Sequence, residues 1–404
     1  MKLEERLSAI TFAVVAHTHA SGVPHRLRDF LMNKSRGLLF IGHPFFYSKD
    51  IKSFAEHYVN GKLIRSMKFP LAMRREIILY VKDVFATLYL TLRLKRRYDL
   101  YIGVDCLNAF VGLFLRKLGL VRMVIFYTLD YAIKRFDNRV LNHMYHLLDK
   151  LCAKHADFVW NVSDVISEAR ELKKAPKEYY APQIIVPVGT DFDKINRKPV
   201  ERIDKKIAYI GGMNPIFGPQ LLFQALPELV RRIPDLKMVV TSTGPVEREQ
   251  KLREFVDKCG LNSNVTFYGY EEDHSKLEEI LTECSIGFAP YMPIPYSYKM
   301  FTDVTKPKVY MACGLPVVIT KVPSIAKVIE RCRAGIVINY DKDELIDATL
   351  KLLYDREFYK MSRNNAILLA SKFKWSKIFD EALKPIVEEY HKRSVLRTAR
   401  LKKD

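Results

Sequence analysis

Gly22, in Ser21-Gly22-Val23-Pro24, stands where an apolar strand gives way to a helix predicted from His25. Glycine there lets backbone approach a ligand, and a helix N-terminus favours anionic groups. His17, His19 and His25 lie around this turn without any metal-ligand spacing. Each is open to two readings, a base or acceptor-side contact or an ordinary packing or surface histidine. Tyr127 and Asp130 close a second apolar strand in Phe126-Tyr127-Thr128-Leu129-Asp130, and strand C-termini line the ligand crevice of a parallel sheet. Gly211-Gly212, Thr243-Gly244-Pro245 and Tyr268-Gly269-Tyr270 place glycine-bearing turns after three more strands. Each turn alone is also what simple topology requires.

The elements that must hold these residues fall into two series of alternating strands and helices. Strands are predicted at Ile10–Ala16, Gly37–Ile41, Leu100–Val104, Met123–Phe126, Phe158–Asn161 and Ile184–Val188, then at Ile207–Ile210, Met238–Thr241, Val265–Tyr268, Ile286–Ala289, Pro316–Ile319 and Gly335–Ile338. Such alternation argues for an α/β chain with two doubly wound parallel sheets. In Tyr310-Met311-Ala312-Cys313-Gly314-Leu315-Pro316 a helix stops: Gly314 can take the left-handed cap, Pro316 bars its resumption, and Val317-Val318-Ile319 fits a buried strand. Leu71–Arg97 carries Ile77, Val81, Val84, Leu88 and Leu92 at helical spacing with Arg74, Arg75, Arg93, Lys95, Arg96 and Arg97 at its ends. A basic amphipathic helix fits an anionic membrane surface, and equally a long core-packing helix with solvated ends.

The 404 residues suit two domains, and 49% apolar content is that of a globular protein. The net charge of +20 is uneven: residues 1–200 hold 33 Lys+Arg against 19 Asp+Glu, and the remainder 33 against 27. Six scattered cysteines with no C-x-x-C pair read as reduced core thiols of a cytosolic protein. Ile10–Ala16 is expected to be a first strand, since Glu4 and Glu5 spoil a basic leader. Val84–Leu92 is too short to span a bilayer.

Phe301–Pro323 resembles the E-Y-M-A-C-G-x-P-V-V segment in the donor domain of GT-B glycosyltransferases of family 4, the group 1 type. The resemblance covers nearly the whole chain. It implies two Rossmann-like domains facing a cleft: residues 1–195 on the acceptor side, 196–375 as the nucleotide-sugar domain, and a C-terminal helix with a basic tail, 376–404, returning to the first. Val188–Phe192 resembles the N-G-V-D-x-x-x-F turn closing the first domain, which accounts for Asp191-Phe192-Asp193 without a metal. Phe373-Lys374-Trp375-Ser376 is similar to the F-S-W that opens the last helix.

In that family two glutamates eight positions apart hold donor hydroxyls; here the places fall on Phe301 and Val309. Asp303 and Lys306 match the D-P-x-K-x-x-E-Y form, and the resemblance makes them catalytic with Tyr127, which stands near a family histidine. Gly211-Gly212-Met213 looks like G-R-x-x-x-x-K-G, whose cations stabilise the departing pyrophosphate; Gly212 and Phe217 occupy the Arg and Lys places, and Gly218 is kept. Lys306 is the surviving matched cation, with Lys299 nearby. Donor contacts are implied at Gly22, Gly211, Gly212, Thr243, Gly244, Gly269, Tyr270, Thr302, Val304, Thr305 and Val309, and acceptor-side contacts at His17, His19, His25 and Asp130.

The expected activity is retaining, metal-independent hexosyl transfer from a nucleotide-diphospho-sugar to a lipid-linked or glycan acceptor, in polysaccharide or glycolipid biosynthesis. The expected location is cytoplasmic, peripheral on an anionic inner membrane face, with no further cofactor. A second reading is a non-catalytic GT-B partner or regulatory subunit of a transferase. A third, a nucleic-acid binder, explains the charge but not the two sheet series.

Overall fold

The computed structural model describes residues 3–18, 22–48, 50–73, 75–94, 97–172, 180–199, 204–243, 246–269, 271, 273–295 and 300–401. His19, Ser21, Arg74, Lys95, Arg96, Gly244, Pro245, Tyr270 and Lys299, singled out above, lie outside the described residues. The chain divides into two compact units, Met1–Pro187 with Ser376–Asp404, and Val188–Trp375.

In the first unit the chain runs through α1 (Leu3–Leu7), β1 (Thr11–Thr18), α2 (Val23–Lys34), β2 (Gly37–Pro44), β3 (Phe54–Val59) and β4 (Lys62–Lys68). It continues through α3 (Glu76–Arg93), β5 (Tyr98–Val104), α4 (Cys106–Lys117), β6 (Val121–Thr128), α5 (Arg139–His155), β7 (Phe158–Asn161), α6 (Val165–Glu171) and β8 (Gln183–Ile185). The sheet order is β4-β3-β2-β1-β5-β6-β7-β8. β2, β1, β5, β6, β7 and β8 run parallel, and their near-continuous apolar burial is what helices on both faces of a sheet demand.

Two strands were not expected. β3 and β4 form an antiparallel hairpin on the β2 edge, so the first sheet is mixed rather than wholly parallel. Its turn is Asn60-Gly61, both residues at positive φ (49° and 78°), the pairing that a two-residue hairpin loop with right-handed twist requires.

The second unit runs β9 (Lys206–Gly212), α7 (Pro219–Arg232), β10 (Lys237–Thr243), α8 (Val246–Lys258), β11 (Val265–Gly269), α9 (His274–Thr282) and β12 (Ile286–Ala289). It ends with α10 (Thr305–Ala312), β13 (Val317–Thr320), α11 (Ile325–Cys332), β14 (Gly335–Ile338), α12 (Lys342–Tyr354) and α13 (Arg356–Ala370). The sheet is all parallel in the order β11-β10-β9-β12-β13-β14. The segment after Pro187 belongs here rather than with the first unit: the Thr190 amide donates to the Phe373 carbonyl (2.8 Å), and Ile195 is part of this unit's core. α14 (Trp375–Leu401) follows, and all of it beyond Trp375 is counted with the first unit. There Tyr390 donates to Asp99 (2.5 Å) and Lys34 to Asp380 (3.1 Å).

The six cysteines are free, and Cys106, Cys152, Cys284 and Cys313 are buried; Cys259 is exposed and Cys332 half-buried, so those two are not core thiols. No described helix is long and apolar enough to cross a membrane.

α10 is pinned to the sheet by Tyr310. Its buried hydroxyl accepts from the Ile210 amide (2.7 Å) and donates to the Phe288 carbonyl (3.1 Å), bridging β9 and β12. Gly287 makes room for the ring, since a Cβ there would overlap it. We expect Tyr310→Phe to lower unfolding free energy by about 1–3 kcal/mol, because two buried backbone groups lose their partner. Urea denaturation measures it, and a change below about 0.5 kcal/mol would remove the hydroxyl from this role.

Candidate functional site

Chain order reverses direction once in each sheet, between β1 and β5 in the first unit and between β9 and β12 in the second. Ligands bind open α/β sheets outside strand C-termini at such switch points. Both switch points carry a cluster of polar or charged side chains.

In the second unit the cluster forms around Lys306. Its ammonium lies over the rings of Phe217 (4.4 Å), Tyr209 (4.7 Å) and Tyr291 (5.7 Å), and it donates to the Tyr209 hydroxyl at 3.4 Å. Its stem runs over Gly211, where a Cβ would overlap it and where φ is +114°. Gly211 and Lys306, 95 positions apart, are thus brought together. Beside them a Cβ on Gly212 would stand 2.5 Å from the Phe217 ring.

α10 begins at this cluster. Val304, its N-cap, is buried and offers no side-chain acceptor, while Thr305 is exposed. The first turn is therefore a place for an anion. Thr302 is buried, and Val309 packs half-buried against the core. Gly269 closes β11 at φ +70°, and Thr243 closes β10.

Asp303 is placed otherwise than expected. Its carboxylate accepts from the Val188 amide (2.6 Å) and pairs with the Lys308 ammonium, which also donates to the Val188 carbonyl (2.8 Å) and lies 4.1 Å over the Phe373 ring. Burial pushes the Lys308 pKa down against the pull of Asp303. Asp303 anchors the start of this unit, and the acid that the resemblance makes catalytic is engaged in an internal ion pair.

Tyr127 is likewise corrected. Its ring is fully buried, edge-on to Trp160 (5.3 Å), and its hydroxyl donates to the Val186 carbonyl (2.9 Å), so it is a core side chain rather than a sugar contact. His25 lies half-buried on α2 against Phe40 (5.6 Å), with its pKa lowered by burial and then by Arg28. Gly22 is the exposed N-cap of α2 with φ 150°, and Asp130 is exposed just past β6.

His17 is built into a buried polar network. At the end of β1 its Nδ1 donates to Asp105 (2.6 Å) and its Nε2 to Asp83 (3.2 Å). Asp83, on α3 and sealed from solvent, also faces Lys82 (2.8 Å), Ser53 (3.0 Å) and His43 (3.3 Å). His43 Nε2 reaches Thr87 (2.8 Å), and Lys82 reaches the Ile51 carbonyl (3.1 Å). Asp105 caps α4 through the Asn108 amide (3.1 Å) while holding φ 73° and ψ 165°, a conformation costly to any residue with a Cβ. Its side chain is 40% exposed, whereas those of His17 and Asp83 are 8% and 0%. Asp105 is thus the point where this network meets solvent.

Burial alone would lower the His17 pKa; Asp105, then Asp83, outweigh it and raise it to about 9. Burial would raise that of Asp83, but hydrogen bonds from His17, His43 and Lys82 hold it well below the usual carboxylate range. Burial lowers that of His43 against the pull of Asp83. Among the described residues, no group of His, Cys, Asp and Glu is arranged to hold a metal.

Asp83, Asp105 and His43 were not singled out from the sequence. Asp105 did carry a signal, an acid between an apolar strand and a helix, the position of an N-cap.

Residues 204–355 match the family model described as Glycosyl transferases group 1. A D-inositol 3-phosphate glycosyltransferase from Corynebacterium jeikeium is 26% identical over 223 residues, 51% of either chain. A GDP-mannose-dependent alpha-(1-6)-phosphatidylinositol monomannoside mannosyltransferase from Mycobacterium tuberculosis is 24% identical over 43% of this chain and 47% of its own. The chain thus matches about half the length of these curated relatives. Among solved structures, a sucrose-phosphate synthase from Thermosynechococcus elongatus superposes with TM-score 0.70 at 16% identity, covering 95% of this chain and all of that one. Anabaena HepE in complex with UDP gives 0.65 at 15% identity, covering 94% of this chain and all of its own. The resemblance to group 1 glycosyl transferases therefore holds over residues 204–355, and the fold is that of the GT-B transferases.

Folded His17 keeps its proton to about pH 9, whereas in the unfolded chain it loses it near 6.5. Its stabilisation is therefore complete below pH 6.5 and lost as pH rises to 9. We expect urea denaturation to show a fall on the order of 1–3 kcal/mol across that window. His17→Gln should flatten it, and an unflattened profile would assign the loss elsewhere.

Proposed function

We propose that this chain is a glycosyltransferase that moves a sugar from a nucleotide-diphospho-sugar to a lipid-linked or glycan acceptor, with retention and without a metal ion. One observation carries the reading: Lys306 is folded onto Gly211 beside the uncapped start of α10. A diphosphate laid on that turn meets backbone amides and a cation where charge develops as the sugar departs. The departing phosphate then takes the acceptor proton on the same face, so no protein base is required. The relatives, named for glycosyl transfer to inositol-type acceptors, point to polysaccharide or glycolipid synthesis and to a hexose donor. On this reading the protein works at the cytoplasmic side, peripheral on an anionic membrane.

The non-catalytic reading has its own support, because Val309 cannot hydrogen-bond a ribose and Asp303 is engaged with Lys308. Thermal shift with UDP-, GDP- and ADP-sugars separates the two. An enzyme should be stabilised by one of them, by about 2.7 kcal/mol at a hundred times Kd. It should also transfer or hydrolyse that donor equally well in EDTA. Stabilisation without turnover would favour a partner subunit, and neither result with any donor would end the transferase reading.

Lys306→Ala should weaken donor binding by about 1.5–3 kcal/mol. Unchanged affinity would take Lys306 out of the site. Asp303→Asn should instead lower the melting temperature, since it strands the buried Lys308 ammonium.

A further inference from the structure

α3 takes polar side chains inward as well as apolar ones. Its buried face carries Lys82, Asp83, Thr87 and Thr91 beside Leu79, Ala86 and Leu90. Its outward face carries Ile77, Val81, Phe85, Tyr89 and Leu92, each 44–62% exposed and spaced three or four apart, so they form one stripe along the helix. Ile78 is exposed beside them. The sequence-based division of this helix is corrected accordingly: Val84 and Leu88 pack inward against the core, while Ile77, Val81 and Leu92 point out. A surface helix normally puts its polar residues outward. Here the network of His17, His43 and Ser53 receives Lys82, Asp83 and Thr87 inside, so the apolar stripe is a consequence of a specified register.

The stripe has neighbours of the same kind. α4 packs beside α3 and exposes Phe110, Phe114 and Leu118, again at i, i+4, i+8. β4 exposes Leu63 and Ile64 on the sheet edge, and Leu71 and Met73 follow in the approach to α3. An exposed apolar stripe running the length of a helix, beside another such helix, marks an interaction face. The rim is basic: residues 62–97 contain ten Lys and Arg against two acids, Glu76 and the internal Asp83. Lys62, Arg65, Lys68, Arg75, Arg93 and Arg97 are exposed.

We propose that the outward face of α3, flanked by the exposed side chains of α4 and β4, lies in the interfacial layer of an anionic lipid bilayer. The helix lies in the membrane plane, with Val81, Phe85 and Tyr89 among the acyl chains and the basic rim on lipid phosphates. Charge selects this occupant over a second copy of the chain. A two-fold dimer through this face would set the same basic rim against itself, whereas anionic headgroups neutralise it. The proposal develops the membrane part of the function above and rests on no donor chemistry. Vesicle binding and sugar transfer can therefore fail independently.

The test is sedimentation of the full chain with vesicles of phosphatidylcholine containing about 30% phosphatidylglycerol, against phosphatidylcholine alone. Binding should need the anionic lipid and fade with salt. Val81→Asp with Phe85→Asp should cut it about tenfold, and the milder Phe85→Ser should cut it less, both with melting temperature held. In a Tyr89→Trp variant the added indole should shift to the blue on vesicles and be quenched by brominated acyl chains. Absence of binding to anionic vesicles, equal binding by the aspartate variant, or an indole unaffected by brominated lipid would each overturn the proposal. So would a concentration-dependent dimer that Phe85→Ser dissolves, which would give the face to a second copy.

Discussion

A carboxylate enclosed in protein must be surrounded by donors, and Asp83 imposes that condition on the first unit. Its oxygens are met by an imidazolium from β1, an ammonium from α3, a hydroxyl from the loop before β3 and a histidine from β2. Breaking such a pair strands a buried charge, at about 3–5 kcal/mol. The register of α3 against the sheet is therefore fixed by polar contacts as much as by apolar ones. A turn of the helix that hid Phe85 would carry Asp83 to the surface. The apolar stripe outside and the His17 site inside are two sides of one constraint.

The same network reaches the switch point of the first sheet. His17 ends β1 and Asp105 follows β5, on either side of the reversal in chain order. Asp105 holds its strained backbone while its side chain bonds His17 and caps α4. A doubly held residue can keep a conformation that a free one would relax. Its carboxylate, partly exposed, is a polar feature at the place where open α/β sheets take ligands.

Strand positions were legible because parallel central strands are continuous apolar runs, and each of the twelve predicted strands has a counterpart, although the sixth ends at Ile185 rather than Val188. The β3–β4 hairpin was not read, although Asn60-Gly61 announces its turn; β4 is exposed along nearly its whole length, so hydropathy gives no alarm. α3 misled for a related reason. Helical periodicity shows that a stripe exists but not which side of the helix faces in, and Lys82-Asp83 has the look of a solvated pair until His17 and His43 are brought to it from distant strands. Tyr127 and Asp303 were placed by analogy to a motif. Neither the full burial of Tyr127 nor the Lys308 partner five residues from Asp303 can be read from a motif position.

The departures in the second unit belong together. At position 212 no side chain fits while the Phe217 ring stays where it is, and that ring is one wall of the cage around the Lys306 ammonium. Gly211 in turn leaves room for the lysine stem. The positions that resemble the family's arginine and lysine have therefore not simply lost charge. One has become the empty space that admits a ring, and the other has become the ring, which holds a cation arriving from α10. An ammonium over aromatic faces keeps its charge and is fixed in place by attractions worth about 0.5–2 kcal/mol. The ammonium beside the Gly211-Gly212 turn stands on a helix that Tyr310 fastens to two strands. The strand-end turn thereby keeps a positive centre at the start of α10, supplied by Lys306.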